Sequence, residues 1–210
     1  NISLAINQAN QMYQKAREMN YPLGTALALH AIGNAYLSSS TPQAAIESYK
    51  EALEVIQKIP HANQYAKTLL PQLILTKLKY HQMTDIEDNI RELESVTDKG
   101  GNPQDDFHLV YCQAFYRIQT HHLPEALNHI QQAKQISQQH LYPYFHLMIK
   151  YLYSCYYTES KEYIQALTTL DELLSHTRTT NSYTSLQVQK DRAHILALMG
   201  KGKEACEAYE

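Results

Sequence analysis

"ALHAIGNAYLSSSTPQAAIESYKEALEV", residues 28–55, sets small side chains at helical intervals on both sides of a serine-rich break. Ahead of the break, Leu29, Ile32, Gly33 and Tyr36 recur at the three- and four-residue steps of one helix face; after it, Ala45, Tyr49 and Ala52 do the same. Thr41 and Pro42 stand where a second helix starts, Thr41 as its cap and Pro42 in its first turn. The stretch reads as a helical hairpin. Gly33 and Ala45 are small because the two helices cross there and a larger side chain would push their axes apart; Tyr36 and Tyr49 fill the space beside the crossing.

Working outward, Ala-x3-Tyr-x2-Ala occurs at Ala9, Tyr13, Ala16 and again at Ala45, Tyr49, Ala52. Looser copies fall at Asn89, Leu93, Val96, at Ala126, Ile130, Ala133, at Ala166, Leu170, Leu173, and at Ala205, Tyr209. Their first members are 36, 44, 37, 40 and 39 residues apart, a mean of about 39, the period of helical solenoids. Pro22, Pro60, Pro103 and Pro143, with "GGNP" at 100–103 and "TTNS" at 179–182, punctuate the blocks, and "HHLPE" at 121–125 repeats the break seen at 38–42. The blocks are 1–20, the second helix of a cut repeat, then 21–60, 61–101, 102–141, 142–180 and 181–210. The expected fold is all-α, a right-handed α-solenoid in which each hairpin covers the apolar face of the next.

Leu29-x2-Ile32-Gly33-x2-Tyr36 followed by Ala45-x3-Tyr49 resembles the tetratricopeptide repeat, with Leu29 in place of the usual Trp. In the register of these copies the equivalents of Gly33 are Lys77, Ala114, Ser154 and Ala193, and those of Tyr36 are Tyr80, Arg117, Tyr157 and Leu196. The 61–101 block fits worst, with Lys77 and Asn89 at small-residue positions and Pro71 inside its first helix, so irregularity is expected there. On this reading Asn89→Ala restores the pattern and is neutral or stabilising. The long first helices, the period and the "YPLGTALALHAIGNAYL" run look most like the repeat regions that precede the membrane helix of bacterial sensor histidine kinases.

A net charge of -3 and scattered Lys and Arg argue against a nucleic-acid surface. "PQLILTKLKY" and "YFHLMIKYLYSCYY" are too short, or too interrupted by lysine, to span a bilayer. The chain begins without Met and stops inside a helical pattern, so it reads as a fragment of a longer protein. Cys112, Cys155 and Cys206 form no CxxC and cannot all pair, which leaves them as free thiols.

Among the eleven histidines, the group His121, His122 and His129 lacks metal-ligand spacing and reads as a solvated turn. "DDFH" at 105–108 reads as a helix start whose carboxylates cap and meet the dipole, and "MGKGKE" at 199–204 lacks the spacing of a phosphate loop and reads as a helix–helix turn. No catalytic, cofactor or metal residue is assigned, and no histidine has the surroundings of a kinase phosphoacceptor. The resemblance places a ligand groove on the first helix of each hairpin, at His30 and Asn34, Ile74 and Leu78, Tyr111 and Phe115, Tyr151 and Cys155, and Lys190 and His194, with His108 and Met148 one turn earlier. Only Asn34 and Lys190 are of the types that clamp a peptide carboxylate, and they lie in different repeats. Tyr111, Phe115 and Tyr151 are the expected aromatic anchors. The expected function is a non-catalytic scaffold for a protein or peptide segment, without nucleic-acid or direct membrane contact. The resemblance further implies the periplasmic sensory region of a two-component protein tethered to a membrane helix. The alternatives are a cytoplasmic regulator linked to a DNA-binding domain and an enzyme using the histidine-rich groove.

Overall fold

The computed structural model describes residues 2–140, 142–177 and 183–207; "TTNS" at 179–182 falls outside them, apart from its helical neighbour Tyr183. The described residues form eleven helices: α1 (Ile2–Glu18), α2 (Pro22–Ser38), α3 (Pro42–Gln57), α4 (Asn63–Lys79), α5 (Ile86–Val96), α6 (Pro103–Gln119), α7 (Leu123–Gln139), α8 (Pro143–Glu159), α9 (Tyr163–Thr177), α10 (Tyr183–Leu198) and α11 (Gly202–Glu207). Two compact units divide the chain, Asn1–Cys112 and Gln113–Glu210, with the division inside α6. In the first unit α1 packs on α2, α2 on α3, α3 on α4 and α4 on α5; in the second α7 packs on α8, α8 on α9, α9 on α10 and α10 on α11.

One turn recurs through both units. Ser40, His81, His121, Lys161 and Gly200 all have left-handed φ, between 54° and 75°, and follow one another at 39 to 41 residues. Beyond each, a backbone N–H reaches back five residues to a helix carbonyl: Thr41 to Tyr36, Gln82 to Lys77, His122 to Arg117, Glu162 to Tyr157 and Lys201 to Leu196, at 2.8–3.0 Å. This is the Schellman ending, which satisfies carbonyls that a helix terminus leaves orphaned. Thr41 takes part differently from the sequence expectation. Its hydroxyl donates to the Tyr36 carbonyl at 2.8 Å and makes no cap bond to α3.

These turns also correct the register of the 61–101 block. Tyr36, Lys77, Arg117, Tyr157 and Leu196 are equivalent, so Gly33 corresponds to Ile74 and Ala45 to Ile86. The copy placed at Asn89, Leu93, Val96 belongs one helical turn earlier, at Ile86, Ile90, Leu93, all of which are buried. The slip arose because Leu93 and Val96 stand three positions after Ile90 and Leu93, so both readings place apolar residues at a helical period. With the correction the copies begin at 9, 45, 86, 126, 166 and 205, and the one outlying spacing disappears. The irregularity of this block lies instead in its short α5, entered from Asp85 at φ 57°; α4 runs on as helix through Pro71.

The crossings behave as small residues there require. A Cβ on Gly33 would stand 2.4 and 2.6 Å from two ring carbons of Tyr49, a side chain with no exposed surface. Ala45, Ala114, Ala126, Ala166 and Ala193 are fully buried and Ser154 nearly so. Where Ile74 and Ile86 replace the small pair, both are buried and branched hydrocarbon fills the crossing.

Candidate functional site

In the first unit, His30 and Asn34 lie one turn apart on α2 against Tyr49 of α3. The His30 ring meets Tyr49 edge-on at 5.9 Å between centroids, and Tyr49 Oη donates to Asn34 Oδ1 at 2.7 Å. Burial pushes the Tyr49 phenol up to about 12 and lowers the His30 pKa. The His30 Nε2 is buried without a hydrogen-bond partner, which favours the neutral ring further. On α6, burial lowers the His108 pKa against the opposing charge of Asp105, whose carboxylate lies 3.4 Å from Lys67 Nζ. Asn102 caps this helix through the N–H of Gln104, while Asp106 accepts from the Gly100 N–H, so "DDFH" does not supply the cap.

Ile74 and Leu78 are fully buried and line no groove. The register slip put them there; the positions that correspond to His30 and Asn34 are Pro71, also buried, and Leu75, half-buried. Tyr111 is 5% exposed and stacked on Phe107, 5.9 Å between centroids, so it is core and presents no anchor to a ligand.

The second unit brings more of the expected residues together. Phe115 of α6 meets Tyr151 of α8 edge-on at 6.2 Å, and Tyr151 Oη donates to Asp191 Oδ2 of α10 at 2.9 Å. Gln187 Nε2 donates to the other carboxylate oxygen, also at 2.9 Å. Phe115, at 3% exposed, is likewise core; Tyr151 and Cys155 are half-buried, as is Met148, and Lys190 and His194 are exposed on α10. The result is a ladder across three first helices, aromatic at one end and carboxylate–amide at the other. Sequence reasoning missed Asp191 and Gln187. Their spacing of four on one helix was visible in "LQVQKD", but nothing in it pointed to Tyr151, 40 residues away.

The turn histidines are held by neighbours in the second unit. His121 Nδ1 lies 2.5 Å from Glu159 Oε1, and His122 Nδ1 lies 3.1 Å from Thr120 Oγ1. His129 is half-buried with Nδ1 unpartnered; burial lowers its pKa and Arg117 adds to this, against a Gln132 hydrogen bond and Glu125. Among the described residues no group of three or more His, Cys, Asp or Glu is arranged to hold a metal ion, and no helix is long and apolar enough to cross a membrane. Cys112 is buried, which raises its thiol pKa; Cys206 is exposed, and neither it nor Cys155 is in a disulfide.

Solved structures show what such a chain resembles. A Rap protein complexed with competence and sporulation factor superposes over 90% of this chain with a TM-score of 0.71 at 17% identity. The fold is that of tetratricopeptide-type repeat proteins. A tetratricopeptide repeat protein from Parabacteroides merdae matches over 98% of this chain, with a TM-score of 0.51 and 13% identity, and covers 77% of that protein's length. BtubC from P. vanneervenii matches over 99%, with a TM-score of 0.57 and 12% identity, and 87% of its own length is covered. The chain spans 52% of the Rap protein's length. No family model matches the sequence, and no curated protein does.

Proposed function

We propose that this chain is a non-catalytic scaffold that binds a protein or peptide segment along the first-helix face of its second unit. The observation that carries the reading is the Tyr151–Asp191–Gln187 ladder, with Lys190 and His194 exposed beside it on α10. Such a face offers an amphipathic ring, a fixed carboxylate and the exposed side chains of Lys190 and His194 to one extended segment. The likeness in fold to a Rap protein complexed with a factor supports binding over catalysis. Panning a random twelve-residue peptide library against the immobilised protein tests it. Selected peptides should lose at least tenfold in affinity on Tyr151→Ala or Lys190→Ala with helix content intact; peptides that bind both variants as well as the parent would place recognition elsewhere.

The finer reading is a periplasmic sensory region of a membrane-tethered two-component protein, and it rests on the sequence resemblance. The full gene decides it. A signal peptide ahead of residue 1 and a membrane helix followed by a kinase module support it, whereas an attached DNA-binding domain would make the protein a cytoplasmic regulator.

A further inference from the structure

The fourth hairpin carries two rungs between its antiparallel helices. Lys150 of α8 and Glu172 of α9 form an ion pair at 2.6 Å. One turn away on each helix, His146 and His176 face each other with ring centroids 6.2 Å apart and planes at 85°. The packing of α8 on α9 sets the register in which both the ion pair and the imidazoles stand opposed. Both histidines are exposed, so neither ring is committed to the core. The Lys150 hydrogen bond and charge hold the Glu172 carboxyl below the ordinary carboxylate range, so an anion persists one turn from His176.

We infer that His146 and His176 form a two-imidazole site for a divalent transition metal ion, clamping α8 to α9. Metal–nitrogen bonds of about 2.0–2.1 Å place the centroids of two imidazoles on one ion roughly 5–6 Å apart, so closing the pair takes a small swing of two exposed side chains. Imidazole nitrogen selects zinc, copper or nickel over magnesium or calcium. Glu172 is held by Lys150, so the protein supplies two ligands and water the rest. The sequence hid the site because its members stand 30 residues apart on different helices and share no motif. Clamping stiffens α8, the helix that carries Tyr151, and so bears on the ladder without being part of it.

Calorimetric titration of the whole chain with Zn2+ at pH 7.5, with Mg2+ as the control ion, tests the inference. Zn2+ should bind with one-to-one stoichiometry, His146→Gln and His176→Gln should each weaken it at least tenfold, and the double variant should bind no more tightly than either single. His121→Gln and His122→Gln should bind like the parent. Cu2+ bound to the parent should show two imidazole nitrogens in its electron paramagnetic resonance spectrum, and one in either variant. Zinc binding no tighter than that of Mg2+, unchanged affinity in the His146 or His176 variant, or loss in the turn variants would overturn the site.

Discussion

Lys77 is 2% exposed, and its ammonium donates to Asn89 Oδ1 at 2.9 Å and to the Thr84 carbonyl at 2.7 Å. Burial lowers its pKa, the Lys50 charge adds to this, and Asp85 opposes it. Asn89→Ala therefore removes one of two acceptors from a buried cation, and the expectation that it is neutral or stabilising is reversed. The variant should lose about 1–3 kcal/mol in urea unfolding, and Lys77→Met combined with it should cost clearly less than the two single losses added. Additive losses would show that the pair does not interact. His30 and His129 make a second case. Burial lowers both folded pKa values, so below the ordinary 6.5 the unfolded chain binds more protons than the folded one. Their contribution is intact above that value and is lost as pH falls below it. The melting temperature should drop between pH 7 and 5, and less steeply in His30→Gln; an unchanged slope would remove His30 from the cause. At this scale the sequence was a poor guide. Tyr111 and Phe115 are as apolar as any anchor, and only packing reveals that Phe107 and Tyr151 already occupy their rings.

The element that repeats most faithfully is the turn within each hairpin, and four of its five left-handed positions carry side chains where glycine is the unstrained choice. Lys161, at φ 62°, is exposed, so Lys161→Gly removes strain without removing packing. It should stabilise by roughly 0.5–1 kcal/mol, and Gly200→Ala should destabilise by about as much. Opposite signs would mean that the backbone there is not left-handed. The breaks at 38–42, 121–125 and 199–204 were legible from their proline, serine or glycine, but the turns at His81 and Lys161 carry neither glycine nor proline, and without the first of them a repeat aligned on side-chain spacing alone slipped by one turn in α4 and α5. The helices themselves were legible, since Pro22, Pro42, Pro103 and Pro143 mark four of their starts and the crossings keep Ala or Gly in four hairpins. The ladder was half legible. Register located Tyr151 and Lys190 on first helices, but which hydroxyl meets which carboxylate depends on the packing of α8 against α10.

Across the whole molecule, stability in a hairpin array is a sum of nearest-neighbour interfaces, each hairpin covering apolar surface that the next leaves open. That organisation is the central claim, because the crossing residues, the repeated turn and the candidate binding face all derive from it. Gly33 is its most exposed test. Tyr49 is pinned by Asn34 and cannot yield, so Gly33→Leu should force α2 and α3 apart at a cost on the order of 1–3 kcal/mol. Hydrogen exchange followed by mass spectrometry, on the parent and this variant, reads where the damage goes. The account predicts faster exchange in α2 and α3, a smaller loss in α1 and α4, and parental protection in α8 and α9. Equal loss of protection in every helix, or none in α2 and α3, would contradict it.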